Sequence, residues 1–446
     1  MIFKNETTHR RTLTVLTWLC ISLGADVIAD EYSLTQAIHS AQTKDPWLTG
    51  SKYRQEHLQA MSVSAGTLPD PTINFSLINL PLDSFDFGSE SMTQAKVGFS
   101  QTFSRGQTLS LRQKKLEELS RMQPFARENR KAHVAVQVSH LWLEAFRSQK
   151  TVALIEQDRE LFEYLVELAQ SSYTSTSGRV RQQDVLRAQL ELTRIEDRLT
   201  VLQQQGEMQL AQLSEWLGNE QYDLRIKMSD DLEQSITKPN LVGAAANIQK
   251  RQRLAEILNQ HPKIRSINQK IHAGETGVKL AKQTYKPQWG INASYGLRGN
   301  DRQGNDRSDL LSLGLSVNLP LFTNTHHDKH VQAATAERES IKTERALALR
   351  QLRSGFDTSE VRYLRLNNRK TLFDTRLLKE SAERSEAALT AYTNGNGDFT
   401  EVVHARIGEL NARIDALNID VDIQKSLAQI QYFLVAQSAL AGDANE

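Results

Sequence analysis

Leu311-Ser312-Leu313-Gly314-Leu315-Ser316-Val317-Asn318-Leu319-Pro320-Leu321 decides the reading of this chain. Apolar residues hold every odd position and small or polar residues every even one, the period of a strand with one greasy and one polar face. The same alternation precedes it, with Trp289, Ile291, Ala293, Tyr295 and Leu297 set against Gly290, Asn292, Ser294 and Gly296. Between the two runs, Arg298 to Asp309 is rich in Gly, Asn, Asp and Arg and reads as a solvated loop. A second hairpin lies upstream. There Ile73, Phe75 and Leu77 alternate with Asn74 and Ser76, and Val97, Phe99 and Phe103 with Gly98, Ser100 and Thr102.

The rest reads helical. Strong helix formers dominate from Gln107 to Ser172, with Pro124 as the one breaker, and from His330 to Ala391, with Gly355 as the one breaker. A run of about 60 residues extends roughly 90 Å, far beyond an ordinary globular helix. Each run breaks at a short polar turn and returns as another amphipathic helix, so the helices must pack laterally as coiled coil. Pro124 is expected to kink its run or to mark a join between helices. Trp142, Phe146, Phe162 and Tyr164 are expected to be packing residues.

The chain is written twice. Asp45-Pro46 recurs as His261-Pro262, Ala65 as Ala281, Pro71 as Pro287, Gly98 as Gly314 and Ser104 as Pro320, all in one register. Tyr173-Thr174 recurs as Tyr392-Thr393 after a small shift. The expected organisation is a signal peptide (1–29) followed by two repeats. The first (30–238) holds a β-hairpin at about 71–106, a helical hairpin at about 107–217 with its tip near 171–183, and an equatorial linker at 218–238. The second (239–446) holds a β-hairpin at about 287–322 and a helical hairpin at about 326–440 with its tip near 392–400.

Composition narrows the function. Fifty-four Lys and Arg face 53 Asp and Glu, a net charge of +1, so no basic face exists to bind nucleic acid by counterion release. Lys4, Arg10 and Arg11 precede an apolar stretch from Leu13 to Ala25 and a small-residue site at Val27-Ile28-Ala29. That pattern is a secretory signal, and its removal takes away the single cysteine, Cys20. Disulfides, thiol catalysis and thiolate metal sites then drop out. No phosphate-cradling loop, nucleophile elbow or metal-hydrolase spacing occurs, so neither an enzyme nor a cofactor is expected.

Strands of about ten residues with one apolar face fit a membrane-spanning β-strand. Four strands cannot close a barrel, and lipid tolerates no open sheet edge, so several copies must combine. Three copies give twelve strands and a lumen, which the small inward residues suit. A soluble β-layer packed on helices is the other reading of the same alternation.

The combination resembles the TolC-type outer-membrane factor family over essentially the whole mature chain. The residues that carry the resemblance are the paired half-repeats, Leu68-Pro69-Asp70-Pro71 before the first strand and Leu319-Pro320-Leu321-Phe322 after the fourth. Two tip phrases join them: Tyr173…Gly178…Asp184-Val185-Leu186-Arg187-Ala188, and Tyr392-Thr393-Asn394-Gly395…Glu401-Val402-Val403-His404-Ala405. The resemblance implies a mainly α fold with a membrane β-barrel: a homotrimer with a twelve-stranded barrel in the outer membrane of a Gram-negative bacterium, on a periplasmic α-helical tunnel. It also implies an exit duct of a tripartite efflux system, served by an inner-membrane pump through a periplasmic adaptor; the histidine cluster described below turns the expected cargo toward heavy-metal cations. A type I protein-secretion duct and a soluble periplasmic coiled-coil adaptor are the alternatives.

By the same resemblance, Asp184 and Tyr392 latch neighbouring helix pairs at a closed entrance, Glu401 and His404 ring the constriction, and the tips at Gly178, Gly395 and Gly397 meet the adaptor. The family gate also uses an arginine where this chain has Gly397. A three-residue helical step puts Glu401 and His404 on one face. His326, His327 and His330 form the one histidine cluster. It reads as a polar collar at the strand-to-helix switch, with chelation of a divalent metal by His326 and His330 at i, i+4 as the alternative.

Overall fold

A computed structural model describes residues 31–174, 182–218, 225–226, 236–240 and 248–437. The expected signal peptide, the tip residue Gly178 and most of the 218–238 linker lie outside the described residues. In chain order the elements are β1 (Glu31–Tyr32), α1 (Leu34–Lys44), α2 (Pro46–Ala65), β2 (Thr72–Ile78), β3 (Gln94–Phe103), α3 (Thr108–Thr174), α4 (Gln182–Leu217) and β4 (Arg225–Ile226). Then come α5 (Ile248–Asn259), α6 (Pro262–Ala281), β5 (Gln288–Leu297), β6 (Leu310–Asn318), α7 (Asp328–Leu372), α8 (Leu378–Thr393) and α9 (Phe399–Phe433).

The two halves repeat down to their caps. Asp45 and His261 are both N-caps followed by proline at the first helical position, where a missing N–H costs nothing. The Asp45 carboxylate accepts from the Trp47 amide at 2.9 Å, and His261 Nδ1 accepts from the Lys263 amide at 3.2 Å. The 67-residue α3 matches a second helical run, α7 continued into α8 through a π turn at Phe373–Leu377. A helix meets Pro124 without ending, so no join lies there. Trp142, Phe146 and Phe162 are buried as packing residues, whereas Tyr164 is 53% exposed and corrects that expectation.

Beyond the hairpins, the structure adds the pairing that joins the repeats. The sheet order is β2-β3-β5-β6, all antiparallel, with β3 of one half bonded to β5 of the other. Register puts Phe75, Val97, Tyr295 and Leu311 in one cross-strand row, and Ile73, Phe99, Ala293 and Leu313 in the next. Every one of these faces the same side. That apolar side is not covered: Phe75 is 79% exposed and Leu313 76%. Asn74, Gly98, Ser294 and Ser312 form a row on the other side. At Gly98 the Asn74 side chain lies over the backbone, and a Cβ there would stand 2.1 Å from its oxygen and push it aside. At the far end the two hairpin loops hold each other, with Arg307 donating to the carbonyls of Glu90 (2.7 Å) and Gly88 (3.2 Å).

Two apolar cores lie along the helices. The larger gathers Leu34, Trp142, Phe146, Leu213, Ile264, Phe356 and Ile430 where both repeats meet at mid-height. The second runs toward the tips and joins α3 and α4 to α9 through Ile155, Phe162, Ile195, Phe399, Val402 and Leu410. Among the described residues no helix is long and apolar enough to cross a membrane.

His261 sits at zero exposure in the larger core. Its Nε2 donates to the Tyr432 carbonyl at 3.0 Å while Nδ1 caps α6, so the ring is held neutral. Burial pushes its pKa down to about 4. His133 and His140 are lowered too, chiefly by burial. An unfolded histidine takes up its proton near pH 6.5, so the unfolded chain binds more protons than the folded one below that value. Stability from His261 is therefore complete above about pH 6.5 and lost as pH falls toward 4, by on the order of 3 kcal/mol. Urea midpoints of the detergent-solubilised protein should fall steeply over that window, and less steeply for His261→Asn, which keeps a cap but cannot titrate. Equal pH slopes for the two proteins would contradict this account.

Candidate functional site at the helical tips

The α8–α9 turn is built by a helix stop, a glycine and a cap. The Asn396 amide donates to the Ala391 carbonyl at 2.9 Å and the Gly395 amide to the Tyr392 carbonyl at 3.0 Å, the paired bonds of a Schellman motif. That motif needs a left-handed residue, and Gly395 has φ +80°. Asp398 then caps α9 by accepting from the Thr400 amide at 3.0 Å. Phe399 is buried, and its ring meets Tyr392 edge-on at 5.6 Å. Gly397 passes so close under α8 that a Cβ would lie 2.6 Å from the Tyr392 nitrogen. An arginine at 397 therefore has no room in this turn.

Around that turn, Asp184 lies buried in the first turn of α4 and Tyr392 half-buried in the last turn of α8. Glu401 and His404 lie exposed on one face of α9, while Val402, Val403 and Ala405 point into the core. Glu401 is held by Arg384 of α8, with Nη2 to Oε1 at 2.6 Å. Both side chains are more than half exposed, and pairs of that kind contribute under about 1 kcal/mol.

Sequence reading missed a second set of contacts. Arg187 Nη1 donates to Thr400 Oγ1 at 2.6 Å, and Arg198 Nη1 donates to Asn411 Oδ1 at 2.8 Å. Both arginines are on α4 and both acceptors on α9. The two rungs are spaced by the same eleven residues on each helix, three helical turns. They tie the helical hairpin of the first repeat to that of the second at the open end of the bundle. The equal spacing of Arg187/Arg198 and Thr400/Asn411 was the available signal, and nothing local to either helix announces it.

The histidine cluster lies at the other end, next to the sheet. Thr323–His327 forms a π turn leading into α7. The His326 ring meets His327 edge-on at 4.9 Å and His330 at 5.7 Å. His327 is buried beside Tyr285, and its pKa is lowered by burial first, then by His326 and Arg105. Among the described residues no three His, Cys, Asp or Glu side chains are grouped to hold a metal ion.

Residues 254–434 match the family described as outer membrane efflux protein. No curated protein sequence matches the chain. Among solved structures, the CmeC outer membrane channel of Campylobacter jejuni superposes with a TM-score of 0.72 at 12% identity, over 99% of this chain and 97% of that one. CusC, from a study of folding and transmembrane channel formation, gives 0.74 at 12%, over 90% and 91%. The open-state MtrE outer membrane channel of Neisseria gonorrhoeae gives 0.71 at 14%, over 90% and 88%. These identities speak for the fold. The second half is thus similar to the outer membrane efflux protein family, and the chain shares the fold of these outer-membrane channels.

Proposed function

We propose that the chain is one third of a trimeric outer-membrane exit duct, through which substrate from an inner-membrane pump leaves the cell by way of a periplasmic adaptor. The observation that carries the reading is the four-stranded sheet: one face is apolar and exposed, interrupted by Gln101 between Phe99 and Phe103, and among the described residues both outer strands, β2 and β6, have an unpaired edge. In lipid an unpaired backbone edge costs several kcal/mol per group, so the edges must meet those of other copies. Three sheets give twelve strands, enough to leave a lumen lined by Ser, Gly and Asn. The helices support the same number of partners. Leu186, Leu190, Val201 and Met208 form an exposed stripe at heptad-like spacing on α4, and Leu347, Val361 and Leu372 another on α7. A soluble adaptor has no use for such a sheet face. Protein-secretion and small-solute ducts share this architecture, with heavy-metal cations one cargo class among them; a deletion strain tested against copper, zinc, cobalt, dyes and antibiotics separates them by the agent to which it becomes sensitive.

At the tips, Glu401 and His404 ring the constriction, and three carboxylates on one axis favour cations. Asp184 and Tyr392 hold neighbouring hairpins, while Gly178, which lies outside the described residues, and the turn at Gly395 and Gly397 meet the adaptor. The work of the absent arginine falls to the Arg187–Thr400 and Arg198–Asn411 rungs, which must part before the second hairpin can swing outward.

Two outcomes follow. Arg at Leu315 or Val317 faces lipid at a cost of about 2–4 kcal/mol per copy near the bilayer midplane and should abolish assembly in the outer membrane. Arg at Ser316 or Asn318 points into the lumen and should still assemble, as read by heat-modifiable oligomers in membrane fractions. Equal sensitivity on both faces would remove the strands from the membrane. At the entrance, Arg187→Ala loses about 1 kcal/mol of a hydrogen bond to a charged donor, a roughly five-fold gain in the open-to-closed ratio. Single-channel recordings in planar bilayers should show that gain, and Glu401→Gln should lower cation preference and divalent block. Unchanged conductance and selectivity in both variants would place the constriction elsewhere.

A further inference from the structure

A recess of about 1050 Å³ opens where the sheet meets the helices, walled by the adjoining ends of α2, α3, α6 and α7. One strand residue in its wall, Gln288 at the start of β5, marks the side on which it lies, since it pairs with Asn318 on the polar face of the sheet. Pro69, Asp70, Ser104 and Arg105, just outside β2 and β3, complete that end of the wall. The recess therefore prolongs the polar face toward the helices. In the duct proposed above, on which this inference rests for its location, that face is the lumen.

Its charge is unbalanced. Arg105, Arg112 and Lys115 line it against Asp70 and Glu337. Arg105 is oriented by donating Nη1 to the Thr284 carbonyl at 2.7 Å. Arg112 and Lys115 lie one turn apart on α3, and neither makes an ion pair among the described residues. Lys115 passes over Gly277, where even a methyl would approach its ammonium to 3.5 Å. On the polar face of the strands above, Lys96 is the sole ionisable side chain and no carboxylate occurs. His330 stands on the α7 wall, next to the His326–His327 pair that the duct reading leaves without a task. The cationic field is felt there, since Arg105 is among the groups that lower the His327 pKa.

We propose that this recess is a binding site for multivalent oxyanions of the phosphate and sulfate class, held by Arg112 and Lys115 with Arg105. A guanidinium offers two parallel N–H donors that match the spacing of phosphate oxygens, and an ammonium one turn away supplies a second point charge. Three copies around one axis multiply the attraction at low salt, where the screening length is about 30 Å at 0.01 M. The duct then collects cations at its Glu401 entrance and anions at the foot of its barrel.

The test uses the purified full-length protein in detergent at low ionic strength, with radiolabelled pyrophosphate in equilibrium dialysis. The wild type should bind, and Arg112→Gln/Lys115→Gln should bind at least about ten-fold more weakly, the loss of 1.4 kcal/mol. Arg112→Lys, which keeps the charge and lies on an exposed helix face, should bind more tightly than Arg112→Gln. In planar bilayers pyrophosphate added on the barrel side should reduce wild-type conductance, and the double variant should lose that block while keeping divalent-cation block at Glu401. Unchanged pyrophosphate binding in the double variant would overturn the site, as would loss of binding on Lys96→Gln alone. A protein that binds pyrophosphate through these residues but forms no pore would contradict the duct and leave the site standing.

Discussion

Everything in this molecule answers to the unpaired backbone at the two edges of a four-stranded sheet. A strand edge in water is a risk of aggregation, but in lipid it is a row of N–H and C=O groups with nothing to bond. The sheet has one face rich in Phe, Leu, Ile and Trp, and in the proposed duct β2 and β6 are left to pair with other copies. The β3–β5 ladder matters for the same reason. It makes one protomer contribute four contiguous strands rather than two separate hairpins, so the proposed trimer would need only three seams.

Below the sheet the problem changes from satisfying backbone to aligning very long helices. Helices satisfy their own backbone, so their constraint is lateral packing, and two separate cores supply it. The mid-height core, with His261 sealed inside it, is apolar and fixed. Toward the tips the bonds linking α4 to α9 become polar and water-exposed, with Arg187 to Thr400 as the outermost. Such bonds are cheap to break and to remake in water. Firm packing in the middle and exchangeable contacts at the end suit the gated duct proposed above.

Legibility followed the range of the signal. The alternation of Leu311 to Leu321 and the helix-former runs were readable because period is a local property. The repeat was readable from Asp45-Pro46 and His261-Pro262, and the structure adds why unlike residues can stand there: a carboxylate and an imidazole nitrogen each cap the second amide of the helix. The exposed face shared by Glu401 and His404 was readable from a three-residue step. The β3–β5 pairing and the Arg187 and Arg198 rungs were not, because each joins residues about two hundred positions apart with no local mark. Gly397 shows the opposite case. Sequence showed that the family arginine was missing, and only the approach of residue 397 to the Tyr392 nitrogen shows why a side chain cannot stand there.

The central claim is that β2 of one copy pairs with β6 of another. Within one protomer those strands are separated by β3 and β5, three strand spacings or about 14 Å. The single natural cysteine, Cys20, lies in the expected signal peptide, so introduced thiols have no competitor in the mature chain. With one cysteine at the lumen-facing edge of β2 and one at that of β6, a bifunctional thiol reagent shorter than this separation, applied to outer membranes, should yield covalent dimers and trimers with the trimer as the end point. A ladder that stops at dimer, or cross-linking confined to the monomer, would contradict the account.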